Sequence, residues 1–190
     1  MSQNPEASSS NLRIIAQTFR LAGWISFWIQ LVLAVVSGVI LLLYAISSQR
    51  PGSPANNPGT GFGLFLAICG LITLGVGIFL AFRYTRIAKD LQSSNPNNRP
   101  RKSETVQVLR LGIWVNLGGI LLTLLGAQAI VGSLAARAIT QTQFLFGTQG
   151  NQPFISGLDM FVVQANINTI SAHFAGVLSS LWLLNRITKP

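Results

Sequence analysis

A chain of 190 residues is one domain's worth of sequence, and its balance excludes an ordinary soluble fold. Hydrophobic residues make up 49% and charged residues only 9%, where soluble domains carry about a quarter charged; with a mean hydropathy of +0.51 this is an integral membrane protein. The net charge of +9 does not ask for nucleic acid, because membrane proteins gather Lys and Arg in their cytoplasmic loops.

The N-terminal arm, residues 1–11, is polar and lacks the basic segment of a signal peptide, so the chain reads as a bacterial-type membrane protein. After Ser8-Ser9-Ser10-Asn11, a helix start, Leu12, Ile15, Phe19 and Ala22 fall three and four apart with Arg13, Gln17 and Arg20 between them. That spacing fits an amphipathic lead-in at the membrane surface or a plain extension of the first helix. The first span covers about 22–46, with Trp24 and Trp28 as interface anchors and Gly23, Ser26, Gln30, Ala34 and Ser37 on one face. A Pro/Gly/Asn/Ser loop, 47–61, leads to a second span at about 62–82, striped by Gly63, Ala67, Gly70, Gly77 and Ala81.

A basic loop follows at 83–110, holding Arg83, Arg86, Lys89, Arg99, Arg101, Lys102 and Arg110 against Asp90 and Glu104. These cations suit headgroup or partner contact. Asn95-Pro96-Asn97-Asn98-Arg99-Pro100 breaks any helix, and Ser103 offers an N-cap for the next one. The third span, about 111–136, carries Gly112, Gly119, Gly126 and Ser133 at seven-residue spacing with Asn116 and Thr123 beside them; Gln128 lies on the opposite side. A loop at about 140–157 precedes the last span, about 158–184, and Arg186 and Lys189 follow it. The basic residues concentrate in the N-terminal arm, the 83–110 loop and the tail, so the positive-inside rule places both termini in the cytoplasm. The expected fold is all-α: one polytopic membrane domain, a four-helix bundle oriented N-in/C-in.

The small-residue stripes predict close helix packing and no roomy pore. The last span departs from this plainness. Asp159, Asn166, His173 and Ser180 are heptad-spaced on one face, Gln164, Asn168, Ser171 and Ala175 share a second, and Val163, Ile167, Ile170, Phe174, Leu178 and Leu181 fill a narrow apolar arc. Only that arc meets lipid comfortably, so this helix is expected in the centre of the bundle or at a subunit contact. His173 is open to three readings, a ligand for a transition metal, a proton acceptor or a core residue held by a structural hydrogen bond. Asp159 cannot share its ion, because the two lie about 21 Å apart along a helix rising 1.5 Å per residue. Asp159 reads instead as a helix cap or as a partner for Arg137. No GxSxG, HExxH or phosphate-binding loop occurs, so no enzyme is expected.

Several segments of the last two spans resemble a known family. They are Gly112-Ile-Trp-Val-Asn116, Leu124-Leu-Gly-Ala-Gln-Ala-Ile-Val-Gly132, Leu134-Ala-Ala-Arg-Ala-Ile-Thr140, Leu158-Asp-Met-Phe161, Val163-Gln-Ala-Asn-Ile-Asn-Thr169, His173-Phe174 and Ser180-Leu-Trp-Leu-Leu184. They are similar to the chloroplast inner-envelope permease family, also described as a subunit of the inner-envelope protein translocon, which has cyanobacterial relatives. The match is dense over 110–188 and loose before it. The resemblance implies a multi-pass protein of the cyanobacterial plasma or thylakoid membrane, connected with iron uptake or with protein import. Two expectations follow. One is an iron permease or transport component, working as a homo-oligomer, with Asn116, Gln128, Asp159, Gln164, Asn166, Asn168 and His173 along a path and iron as cargo rather than a resident cofactor. The other is a non-transporting membrane subunit that assists protein translocation or complex assembly through membrane-protein partners.

Overall fold

The computed structural model describes residues 5–48, 58–93, 100–144 and 155–188. Four helices follow one another: α1 (Pro5–Ser48), α2 (Pro58–Leu91), α3 (Lys102–Phe144) and α4 (Gly157–Thr188). Proline opens α1 and α2, at the position where its missing N–H costs nothing and its fixed φ suits the first turn. All four are long and apolar enough to cross a membrane, and no strand occurs among the described residues.

Neighbours in sequence pack antiparallel. Gly23 of α1 meets Thr85 of α2, and Gly38 meets Leu71. Gly63 of α2 meets Ile130 and Gly126 of α3, whereas Gly112 meets Tyr84. Ser37 of α1 bonds to Ala165 of α4, and Gly119 of α3 faces His173 of α4, which closes the square. The stripes read from the sequence all turn inward: Ser26, Gln30 and Ser37 of α1, Gly63, Gly70 and Gly77 of α2, and Gly112, Gly119 and Gly126 of α3 are buried. At one crossing the backbones themselves touch. A Cβ on Gly63 would lie 2.8 Å from the Gly126 carbonyl, and one on Gly126 2.9 Å from the Gly63 carbonyl.

The helices run past the spans the sequence suggests. At 1.5 Å per residue the 44 residues of α1 extend about 66 Å, well beyond a ~30 Å hydrocarbon core. The lead-in is therefore an extension of α1 and not a surface helix. Phe19 and Ala22 are buried against Ile87 and Ala88 of α2 and Leu109 of α3, while Arg13, Gln17 and Arg20 stay exposed. The basic loop shrinks in the same way, because α2 continues through Arg83, Arg86 and Lys89 to Leu91 and α3 begins at Lys102. Apolar Ile87, Ala88 and Leu109 carry the packing outward, so the chain stays helical where charge alone suggested a loop. Ser103 consequently falls inside the first turn of α3 rather than capping it. Arg83, Arg86, Lys89, Arg101 and Lys102 are exposed; Arg99 lies outside the described residues.

Candidate functional site

Two apolar clusters fill the ends of the bundle. One holds Phe19, Leu80, Tyr84, Ile87, Leu109 and Leu183 at the end where the basic residues lie. The other holds Leu41, Tyr44, Ala67, Ile130, Leu134 and Val162 at the far end. Between them the interior turns polar. Ser26 and Gln30 of α1, Asn116 and Thr123 of α3, and Asn166, Thr169 and His173 of α4 are each at most 2% exposed. These side chains lie between the two apolar clusters.

His173 is the hub. Its Nδ1 lies 3.0 Å from Asn116 Oδ1, and its Nε2 lies 3.1 Å from the Gly70 carbonyl of α2. Asn116 Nδ2 donates to the Gly112 carbonyl at 2.7 Å, which fixes the amide with its oxygen toward the ring. Both ring nitrogens thus face acceptors, and a neutral imidazole, with one N–H, serves one of them at a time. Glycine makes the room. A Cβ on Gly119 would overlap the His173 ring, and Cβ atoms on Gly77 and Gly176 would come within 3.0 Å and 2.6 Å of Asn116 Oδ1. Gln30 reaches the same spot from α1, its Oε1 2.8 Å from where a Gly77 Cβ would stand. All four helices therefore meet at this point.

The layer is short of donors. Gln30 Nε2 donates to Ser26 Oγ at 2.7 Å, and Asn166 Nδ2 donates to the Val162 carbonyl at 3.0 Å. Gln30 Oε1 and Asn166 Oδ1 are buried with no hydrogen-bond partner. The hydroxyls are satisfied within their own helices: Thr123 donates to Gly119, Thr169 to Ala165 and Ser180 to Gly176. Tyr84 and Ser180 share a hydrogen bond at 2.9 Å toward the basic end. Tyr84 and Gln30 escape attention in the sequence. Gln30 hides in the small-residue face of α1, and Tyr84 follows Arg83 where a loop is expected.

Asp159 stands apart from this layer, at the far end of the bundle. Its Oδ2 accepts from the Ser156 backbone N–H at 2.9 Å, and its own N–H points to Ser156 Oγ at 3.4 Å, a reciprocal cap at the start of α4. Its Oδ1 lies 3.7 Å from Arg137 and accepts from the Tyr44 hydroxyl at 3.3 Å. Cap and ion pair are both realised, and a place on a common path with His173 is not. Three further path candidates face outward. Gln128 and Gln164 are exposed and Asn168 is half-buried, so the second polar face of α4 looks away from the bundle. Of the two places expected for α4, the centre of the bundle is corrected, since α4 occupies one corner of the square. A wheel gives angles between side chains but not which angle points inward, and here the His173 face won. No group of three or more His, Cys, Asp or Glu residues placed to hold a metal occurs among the described residues.

Four long apolar helices around a buried polar layer define a multi-pass membrane protein. The chain belongs to the family described as proteins of unknown function, DUF3611, whose sequence profile matches residues 9–188. It is 38% identical over 187 residues to "Protein TIC 21, chloroplastic" of Arabidopsis thaliana, covering 96% of this chain and 60% of that protein. The chain thus spans about three-fifths of the length of this relative. The likeness agrees with the resemblance to the chloroplast inner-envelope family seen in the last two spans. No solved structure matches.

Proposed function

We propose that this protein is a metal-ion permease or a component of one, with iron as cargo and the polar layer as the part of the bundle that meets the ion. The observation that carries this reading is two buried, unpartnered amide oxygens in the polar interior, Gln30 Oε1 at the His173–Asn116 junction and Asn166 Oδ1 about 10 Å further along α4. An acceptor buried without a donor costs about 1–3 kcal/mol, so a positive charge arriving in the layer relieves an existing penalty. Amide oxygens and imidazole are ligand types that first-row divalent ions accept. The apolar clusters close the layer on both sides, so passage requires the helices to part at each end in turn. No catalytic role is assigned. The membrane proposed is the cyanobacterial plasma or thylakoid membrane, consistent with a chloroplastic relative.

Liposomes carrying the purified protein and an internal iron-sensitive dye test this reading. Wild type is expected to load ferrous iron, and Gln30→Leu combined with His173→Ala to lose loading. Equal loading by wild type, the double variant and empty liposomes would end the permease reading.

A second reading is a non-transporting subunit that assists protein translocation or complex assembly. The exposed row Arg83, Arg86 and Lys89, continued by Arg101 and Lys102, favours it, since such a row docks an acidic partner or anionic lipid. A photo-crosslinker placed at Arg86 in native membranes decides: protein adducts support the subunit reading, and lipid adducts alone sink it.

A further inference from the structure

The outward face of α4 is wrong for lipid. Gln164 and Ser171 are exposed and Asn168 is half-buried. Measured from the middle of α4 at 1.5 Å per residue, Asn168 lies about 7 Å and Gln164 about 13 Å along the axis. Both positions fall within the ~15 Å half-thickness of the hydrocarbon core. The hydroxyl of Ser171 is satisfied by its own helix, donating to the Ile167 carbonyl at 2.9 Å. The two amides are only half satisfied. Gln164 Nε2 donates to Asn168 Oδ1 at 3.0 Å, which leaves Gln164 Oε1 as an acceptor and Asn168 Nδ2 as a donor. Neither has a partner among the described residues, and hydrocarbon offers none.

One acceptor and one donor, four residues apart on one face, form a self-complementary pair. A two-fold axis along the membrane normal sets two α4 helices side by side and parallel, with the same residues opposed. Asn168 Nδ2 of each copy then donates to Gln164 Oε1 of the other, which gives every amide a partner across the contact. Ser171 and Ala175 continue the face with small side chains, which lets the backbones approach. The adjoining arc of Ile167, Phe174 and Leu181 is exposed and apolar and stays with lipid. The occupant that this pattern fits is the chain itself: a single pair of amides is matched in both count and register by its own copy.

We propose that the Gln164–Asn168–Ser171–Ala175 face of α4 is the contact between two copies of this protein in the membrane. The proposal holds whether or not the protein transports an ion.

Single cysteines in a Cys69→Ser background, in full-length protein diluted into liposomes and oxidised, test it. Ser171→Cys and Ala175→Cys are expected to give covalent dimers, and Phe174→Cys and Leu181→Cys not. Gln164→Leu with Asn168→Leu, built into the Ser171→Cys protein, is expected to lower the dimer yield on the order of tenfold, the scale for two hydrogen bonds between membrane helices. Its melting temperature is expected to stay near the parent value, because the two side chains bond to each other and to no other helix of the bundle. Equal crosslinking at all four positions, stronger crosslinking at 174 and 181, no dimer at any position, or an undiminished yield in the leucine variant would each overturn the proposal.

Discussion

His173 Nδ1 lies 3.0 Å from Asn116 Oδ1, and this one contact ties α4 to α3 where Gln30 of α1 and Gly70 and Gly77 of α2 also converge. Removing the ring from this junction strands an acceptor and opens a cavity at once. His173→Ala is therefore expected to destabilise the bundle by about 2–4 kcal/mol, combining the cavity and the orphaned amide. Thermal unfolding in detergent checks it. Asn116→Leu is expected to be milder, because it withdraws the unsatisfied oxygen together with the contact.

Gly119 and Gly118 are neighbours with opposite surroundings. A Cβ on Gly119 runs into the His173 ring, which is held from both sides and cannot swing away, whereas a Cβ on Gly118 meets nothing within 4 Å. Gly119→Ala is expected to force α3 and α4 apart at a cost of about 1–3 kcal/mol. Gly118→Ala is expected to be neutral or to stabilise by up to about 1 kcal/mol, through the better helix propensity of alanine. Paired melting curves that failed to separate the two would contradict the close packing of the ring on α3.

The contrast between these glycines also shows what the sequence discloses. Seven-residue spacing placed Gly112, Gly119 and Gly126 on one face, and the structure buries all three, because period is a local property of a helix. The number of spans was equally legible, since a span is a matter of length and hydropathy. Direction was not. Gln164 and Asn168 looked as much like path residues as Asn166 and His173, and only the positions of α1 and α3 decide that one set is inside. Gln30 and Asn116 come from helices that are diagonal across the bundle, so no local pattern announces their meeting over Gly77. At the basic segment charge marks the membrane boundary, whereas helix continuity past it depends on Ile87, Ala88 and Leu109 finding partners.

Asp159 combines two jobs that mutation can separate. Asp159→Asn keeps an oxygen for the Ser156 cap but removes the charge that faces Arg137, and Asp159→Ala removes both. Asparagine is expected to cost about 1–2 kcal/mol, within the range for hydrogen bonds to charged groups. Alanine is expected to cost about 1 kcal/mol more, the usual value of an N-cap interaction. If the two variants melt together, the cap at the start of α4 contributes nothing.

Gln30 offers the cleanest separation of stability from function. Its Oε1 is buried without a partner, so the oxygen does nothing for the fold that leucine, of similar volume, would lose. The contact given up is Gln30 Nε2 to Ser26 Oγ at 2.7 Å, a loss of about 1 kcal/mol that removing the buried, unpartnered oxygen offsets. Gln30→Leu is expected to melt within about 1 kcal/mol of wild type, or above it. If the polar layer meets a cation, the same substitution lowers iron loading in liposomes, because it takes away an oxygen that needs no hydrogen bond broken before it can bind. Residues kept only for packing do not behave in this way: substitutions that leave stability intact leave function intact too. A leucine variant that is as stable as wild type and loads iron equally well would remove Gln30 from any path through the bundle.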